Sequence, residues 1–131
     1  MEVRGYRSED REACVALWDS SEDFDSFLDA LNCSFLVMEH DGAIVGCGGY
    51  RTAESTAELL WGTIRKDLRK QGLGRLLLMY RLKEITKLNR IEHVYANVPP
   101  STAAFYAKQG FKVNGESADR VNMVMRLSVC S

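Results

Sequence analysis

Apolar positions along this chain change their rhythm several times, and each change marks an element. Val3 to Tyr6 reads as a short strand. Ser8 then offers a side-chain oxygen for an N-cap, and Glu9 and Asp10 supply acids where a helix dipole favours them. Ala13, Leu17 and Trp18 follow at helical spacing. Ser21-Glu22-Asp23 opens a second short helix carrying Phe24, Phe27, Leu28 and Leu31. Phe35 to Met38 is a strand, and Asp41-Gly42 predicts a tight hairpin into Ile44 to Tyr50. A turn near Glu54-Ser55 leads to a strand from Ala57 to Ile64. The clearest helix runs from Leu73 to Leu88, with Leu76, Leu77, Tyr80, Leu82 and Ile85 on its apolar stripe. Ile91 to Ala96 forms the next strand, and Pro99-Pro100 breaks the backbone. Ser101 caps a short helix through Gln109, stopped by Gly110, and Phe111 to Val113 and Met123 to Leu127 are closing strands. The order β-α-α-β-β-β-α-β-α-β-β predicts an α/β fold. It is one mixed, mostly antiparallel sheet of six or seven strands flanked by about four helices, in a single domain over residues 1–131.

Composition narrows the class. The 131 residues are 46% hydrophobic and 27% charged, which excludes a disordered chain and a small disulfide scaffold. No apolar run approaches the roughly 18 residues of a membrane helix, and Met1 to Gly5 lacks a signal-peptide core. A cytoplasmic protein is expected. The net charge of −1 hides a division. Residues 1–41 hold eleven acids against three arginines, whereas the rest holds fourteen bases against seven acids. Such asymmetry suits two faces with opposite partners, although unevenly spread surface charge gives the same composition. Cys14, Cys33, Cys47 and Cys130 form no CxxC pair, and His40 and His93 stand apart, so no metal is expected.

The chemistry gathers between residues 64 and 75. A strand ends, Arg65, Lys66, Arg69 and Lys70 fall within six positions, and Gly72 and Gly74 open the long helix. Free N–H groups at a helix N-terminus attract anions, and glycines let a phosphate approach the backbone. The spacing fits neither a P-loop nor a dinucleotide fingerprint. A GxG at a helix start can also be a plain tight connection.

Arg69-Lys70-Gln71-Gly72-Leu73-Gly74 resembles the signature of the GNAT N-acetyltransferases: Arg or Gln, two residues, Gly, one residue, then Gly or Ala. Phe105-Tyr106 followed by Gly110-Phe111 resembles a second motif of that family, and the element order is similar throughout the chain. Two positions depart from the family pattern. Lys66 stands where many members have Pro, and Pro99-Pro100-Ser101 replaces a stretch that often begins with Asn, leaving Ser101 or Thr102 to face the cofactor arm.

The resemblance implies a GNAT-like fold and acetyl-CoA as co-substrate. Backbone groups of Thr63 and Ile64 would pair with pantetheine like an added strand. Amides of Gln71, Gly72, Leu73, Gly74 and Arg75 would face the pyrophosphate, with Arg69 and Lys70 beside it. Tyr106 matches the family's general acid for the departing thiolate, the alternative being a ring that packs the last helix. Glu58 matches a carboxylate that takes the amine's proton or binds the amine, the alternative being a surface residue. Trp61 lines the acceptor pocket or belongs to the core. Glu9, Glu22, Asp23, Asp25 and Asp29 would favour a cationic acceptor. The expected activity is direct acetyl transfer to a primary amine of a small cationic molecule. The other reading is a non-catalytic acyl-CoA-binding sensor. The pI of about 6.1 and the lack of aromatics within the basic run argue against nucleic acid. No membrane partner is expected, and a homodimer is left open.

Overall fold

The computed structural model describes residues 1–17 and 34–127, apart from the side chain of Trp61. The helix expected to begin at Ser21 lies outside the described residues. Seven strands form one sheet in the order β1-β2-β3-β4-β5-β7-β6. They are β1 (Glu2–Gly5), β2 (Ser34–His40), β3 (Ala43–Ala53), β4 (Thr56–Ile64), β5 (His93–Val98), β6 (Lys112–Glu116) and β7 (Val121–Arg126). Three α-helices accompany them among the described residues: α1 (Arg11–Val15), α2 (Leu73–Thr86) and α3 (Pro100–Lys108). Neighbouring strands are antiparallel except β4 and β5, which are parallel.

Local chemistry explains the joints. Asp41 and Gly42 both have positive φ, 51° and 80°, as a two-residue hairpin whose twist matches its strands requires. Asn89, at φ 60°, turns the chain out of α2 three residues beyond Thr86. Two caps differ from expectation. At the first helix Ser8 lies inside a 3-10 turn, and the Asp10 carboxylate accepts from the Arg7 N–H at 2.8 Å. In α3 the first helical residue is Pro100, whose missing N–H costs nothing there, so Ser101 sits in the first turn and caps nothing. The fifth strand also starts later than its apolar run, because Glu92 N–H is already spent on the Ser55 carbonyl at 2.7 Å. β6 runs on past Val113 to Glu116.

The sheet is covered differently on its two faces. Leu36, Met38, Ala57, Leu59, Val94, Ala96 and Met123 pack towards α2 and α3, with Leu77, Leu78 and Ile85 above them. Phe35, Val37 and Cys47 face the other way, onto Cys14 of α1. The α2 stripe itself departs from the expected one. Tyr80 and Leu88 are exposed, and Arg81, next to Tyr80, is buried instead at 3% exposed.

Asp10 anchors the first segment to the sheet. Its carboxylate takes two hydrogen bonds from Arg4, at 2.8 and 3.0 Å, and Glu39 of β2 stands 3.4 Å from the same guanidinium. The bonds from Arg4 hold the Asp10 carboxyl below its ordinary range, against the opposing effect of burial. A depressed carboxylate stabilises the fold above the ordinary Asp value of about 3.9, and that contribution fades as pH falls through the folded value. Asp10→Asn is therefore expected to cost about 2 kcal/mol at pH 7, with the gap to the parent closing in acid. Urea midpoints across pH measure it, and a loss independent of pH would contradict it.

Candidate active site

The loop after β4 is built to leave amides free. Arg65 N–H closes the strand by donating to the Val45 carbonyl at 2.8 Å. The Arg69 side chain then folds back, its Nε donating to the Ile64 carbonyl at 2.9 Å. Lys70 and Gly72 both take positive φ, 66° and 85°. Only at Leu76 does the helix ladder begin, with a bond to the Gly72 carbonyl at 3.1 Å. The amides of Gln71, Gly72, Leu73, Gly74 and Arg75 come before that first bond and lie at the positive end of α2. A Cβ on Gly72 would meet nothing within 4 Å, so the space beside this turn is open. Arg65 is tied to Asp67, at 2.7 Å, while the side chains of Lys70, Gln71 and Arg75 are exposed.

A gap in the sheet lies next to the loop. β4 and β5 pair from Thr56↔His93 to Leu59↔Ala96, and beyond that point β4 continues without β5. A bulge between the Leu60 and Thr63 pairings sharpens the departure. The register places Thr63 and Arg65 in hydrogen-bonded pairs with β3, so the alternating ladder directs the Ile64 backbone into the gap. The ends of α2 and α3 meet across it: a Cβ on Gly74 would stand 3.8 Å from Phe105 Cζ.

Tyr106 lies on α3 and packs against the core beneath it. Its ring is held edge-to-face by Phe105 and Phe111, with centroids 5.2 and 5.4 Å away. Ser101 is exposed in the first turn of α3, whereas the Thr102 hydroxyl is spent on the Pro99 carbonyl at 3.0 Å.

Glu58 is on the opposite face of the sheet. It borders a cleft of about 290 Å³ with Arg51, Thr56, Tyr95 and Asn122. Arg51 Nη2 comes within 2.6 Å of Glu58 Oε1, a charge contact not aligned as a hydrogen bond. Glu58 and Tyr106 therefore lie on opposite faces of the sheet. The Trp61 side chain and the acids at 22, 23, 25 and 29 lie outside the described residues. Arg81 was missed in the sequence, although its spacing of four from both Leu77 and Ile85 places it on the buried stripe.

The profile of the acetyltransferase (GNAT) domain matches residues 31–113, more than half of the chain. The chain belongs to the GNAT acetyltransferase family. Similar solved GNAT structures cover nearly all of it. The ribosomal-protein-S18-alanine N-acetyltransferase of Escherichia coli superposes with a TM-score of 0.85 at 19% identity, over 99% of this chain and 96% of that one. The PaiA N-acetyltransferase of Thermoplasma acidophilum, in complex with coenzyme A, gives 0.80 at 20% identity, over 96% and 98%. A GNAT family acetyltransferase from Elizabethkingia anophelis with acetyl-CoA bound gives 0.76 at 16% identity, over 96% and 97%. In sequence, the uncharacterized protein YyaT of Bacillus subtilis (strain 168) is 31% identical over 98 residues. That match takes in 73% of this GNAT chain and spans 65% of YyaT. Among the described residues no helix is long and apolar enough to cross a membrane, and no group of three or more metal-ligating side chains gathers.

Proposed function

We propose that residues 1–131 act as one acetyl-CoA-dependent N-acetyltransferase domain, moving an acetyl group directly to a primary amine. The observation that carries this reading is the row of uncommitted amides at the start of α2 opening onto the gap between β4 and β5. A pyrophosphate fits the first and an extended pantetheine fits the second. In this assignment the amides of Gln71 to Arg75 receive the phosphates, with Lys70 and Arg75 adding charge. Arg69 shapes the loop through the Ile64 carbonyl, and Ile64 N–H offers the strand-like bond to pantetheine. Ser101 borders the arm from α3.

The acetyl carbon then lies in the gap, and the amine reaches it from the face that bears Glu58. The nitrogen forms a bond to the carbonyl carbon as the C–S bond breaks. Tyr106 gives its proton to sulfur, and the amine's proton leaves to Glu58 or to water. No covalent enzyme intermediate is needed. A small cationic acceptor is supported by the segregation of charge, including exposed Glu9.

Thiol release from acetyl-CoA against a panel of polyamines, aminoglycosides, amino acids and peptides tests this reading. A turnover stimulated by a cationic amine is expected. Binding of acetyl-CoA with no amine-dependent release would favour the sensor instead. Within the active pair, Glu58→Gln should lower kcat/KM most at low pH, where the amine is protonated and a base helps most.

A further inference from the structure

Arg51 of β3 and Glu58 of β4 are cross-strand partners on the sheet face turned away from α2 and α3. Their charges come within 2.6 Å, yet Glu58 Oε1 is buried and has no aligned donor, so the guanidinium caps that oxygen without satisfying it. The two side chains remain 44% and 36% exposed, and an ion pair so open to water adds little to stability. Its larger effect is on the charge of the cleft. Among the described residues that line this space of about 290 Å³, Arg51 and Glu58 are the charged ones. Thr56, Tyr95 and Asn122 add neutral hydrogen-bonding groups. The register brings Arg126 and Lys112 to the same face, through the pairs His93↔Arg126, Tyr95↔Val124 and Lys112↔Val124. A bare cation finds a poor site here. Its ammonium competes with Arg51 for Glu58, in a cleft whose own charges cancel and whose surroundings are positive.

A carboxylate beside the amine reverses that balance. We propose that the cleft takes the head group of a free α-amino acid, with Arg51 holding its carboxylate and Glu58 meeting its amine. The planar fork of an arginine matches a carboxylate, and the two charges of the ligand lie one carbon apart, as a counterpart to the protein pair. The four groups then alternate in sign. A space of this size suits a small molecule. Glu58 stands one residue before the last β4–β5 pair, Leu59↔Ala96, so the amine is held where the gap begins. The inference rests on the acetyltransferase reading above and adds a carboxylate to its acceptor; any further positive charge of that molecule lies outside this cleft. The nitrogen bonds to the acetyl carbon as the C–S bond breaks, giving an N-acetyl amino acid and coenzyme A. Of the two protons that the ammonium loses, one leaves to solvent through Glu58. The equivalent of the other ends on the sulfur, which Tyr106 protonates.

The proteinogenic α-amino acids, each beside its own carboxamide, test this, with cadaverine as the lysine analogue that lacks the carboxylate. Thiol release from acetyl-CoA gives the rates, and mass spectrometry locates the acetyl group. For the best amino acid, kcat/KM should exceed that of its carboxamide by at least about tenfold, the loss that follows when a charged hydrogen-bond partner is withdrawn. Arg51→Met removes the charge at a partly exposed position, where little packing depends on it. It should raise KM for the amino acid and lower KM for the carboxamide, because Glu58 loses its competitor, closing the preference to about threefold or less. Arg51→Lys keeps the charge without the fork and should retain part of the preference. An arginine that only supports the fold would weaken both members of a pair alike. Carboxamides or cadaverine used as well as the acids, acetylation away from the α-nitrogen, or a preference untouched in Arg51→Met overturns the proposal and leaves the acetyltransferase reading standing. Acetyl-CoA bound by calorimetry but released by no amine of any kind overturns that reading and this one with it.

Discussion

Gly72→Asn should leave the protein folded and erase its stabilisation by coenzyme A. Gly72 holds φ at 85°, which most residues adopt only with strain. Asparagine tolerates the left-handed region better than other side chains, so the stability cost is held to about 1 kcal/mol. Its Cβ would touch nothing of the protein, because nothing lies within 4 Å. The added amide therefore projects into the space assigned to the pyrophosphate. Coenzyme A at a hundredfold excess over Kd stabilises a folded protein by about 2.7 kcal/mol. For a domain of this size that is roughly 10 °C in Tm. The parent should show this shift and Gly72→Asn should not. Gly74→Ala is the matched control: its Cβ clears Phe105 by 3.8 Å and Ile64 by 4.0 Å, and most of the shift should survive. An asparagine variant that binds coenzyme A as tightly as the parent would reduce the loop to a connection.

Tyr106→Phe should lower kcat about 100-fold while leaving coenzyme A affinity within about twofold. The ring keeps its place, since its edge-to-face contacts with Phe105 and Phe111 do not involve the hydroxyl. Only the proton donor goes, so stability should change by no more than about 1 kcal/mol. Steady-state kinetics on the best amine of the panel, beside a calorimetric Kd, separates the two. Unchanged turnover would make Tyr106 a packing residue.

Much of this architecture was legible in the chain because the signals are local. Asp41-Gly42 dictates its own turn, Gly72 its own φ, and Phe105-Tyr106 with Gly110-Phe111 its own helix end. The readings that changed depend on what another segment does. Ser8 and Ser101 look like caps, but a carboxylate from Asp10 and the backbone of Pro99-Pro100 settle those helix starts. Tyr80 looks like core and Arg81 like surface until the glycines at 48 and 62 are placed beneath α2. The end of pairing at Leu59↔Ala96 is followed by a bulge of β4 against β3, and period-two alternation announces neither.

That end of pairing has a mechanical consequence. β1 to β4 form one half-sheet and β5, β7 and β6 another, joined along the sheet by four paired residues of β4 and β5. Beyond Leu59 β4 has no strand beside it on the β5 side, and the Arg69 side chain takes the Ile64 carbonyl there. The shared core of Tyr50, Ala57, Leu59, Val94, Ala96 and Met123 holds the halves together where the strands pair, so opening is least resisted beyond Leu59. An extended ligand lying along Ile64 would act as a zip, joining the halves over the length that the strands themselves leave apart. The same line would then set where the domain breathes when empty and how tightly it closes when loaded.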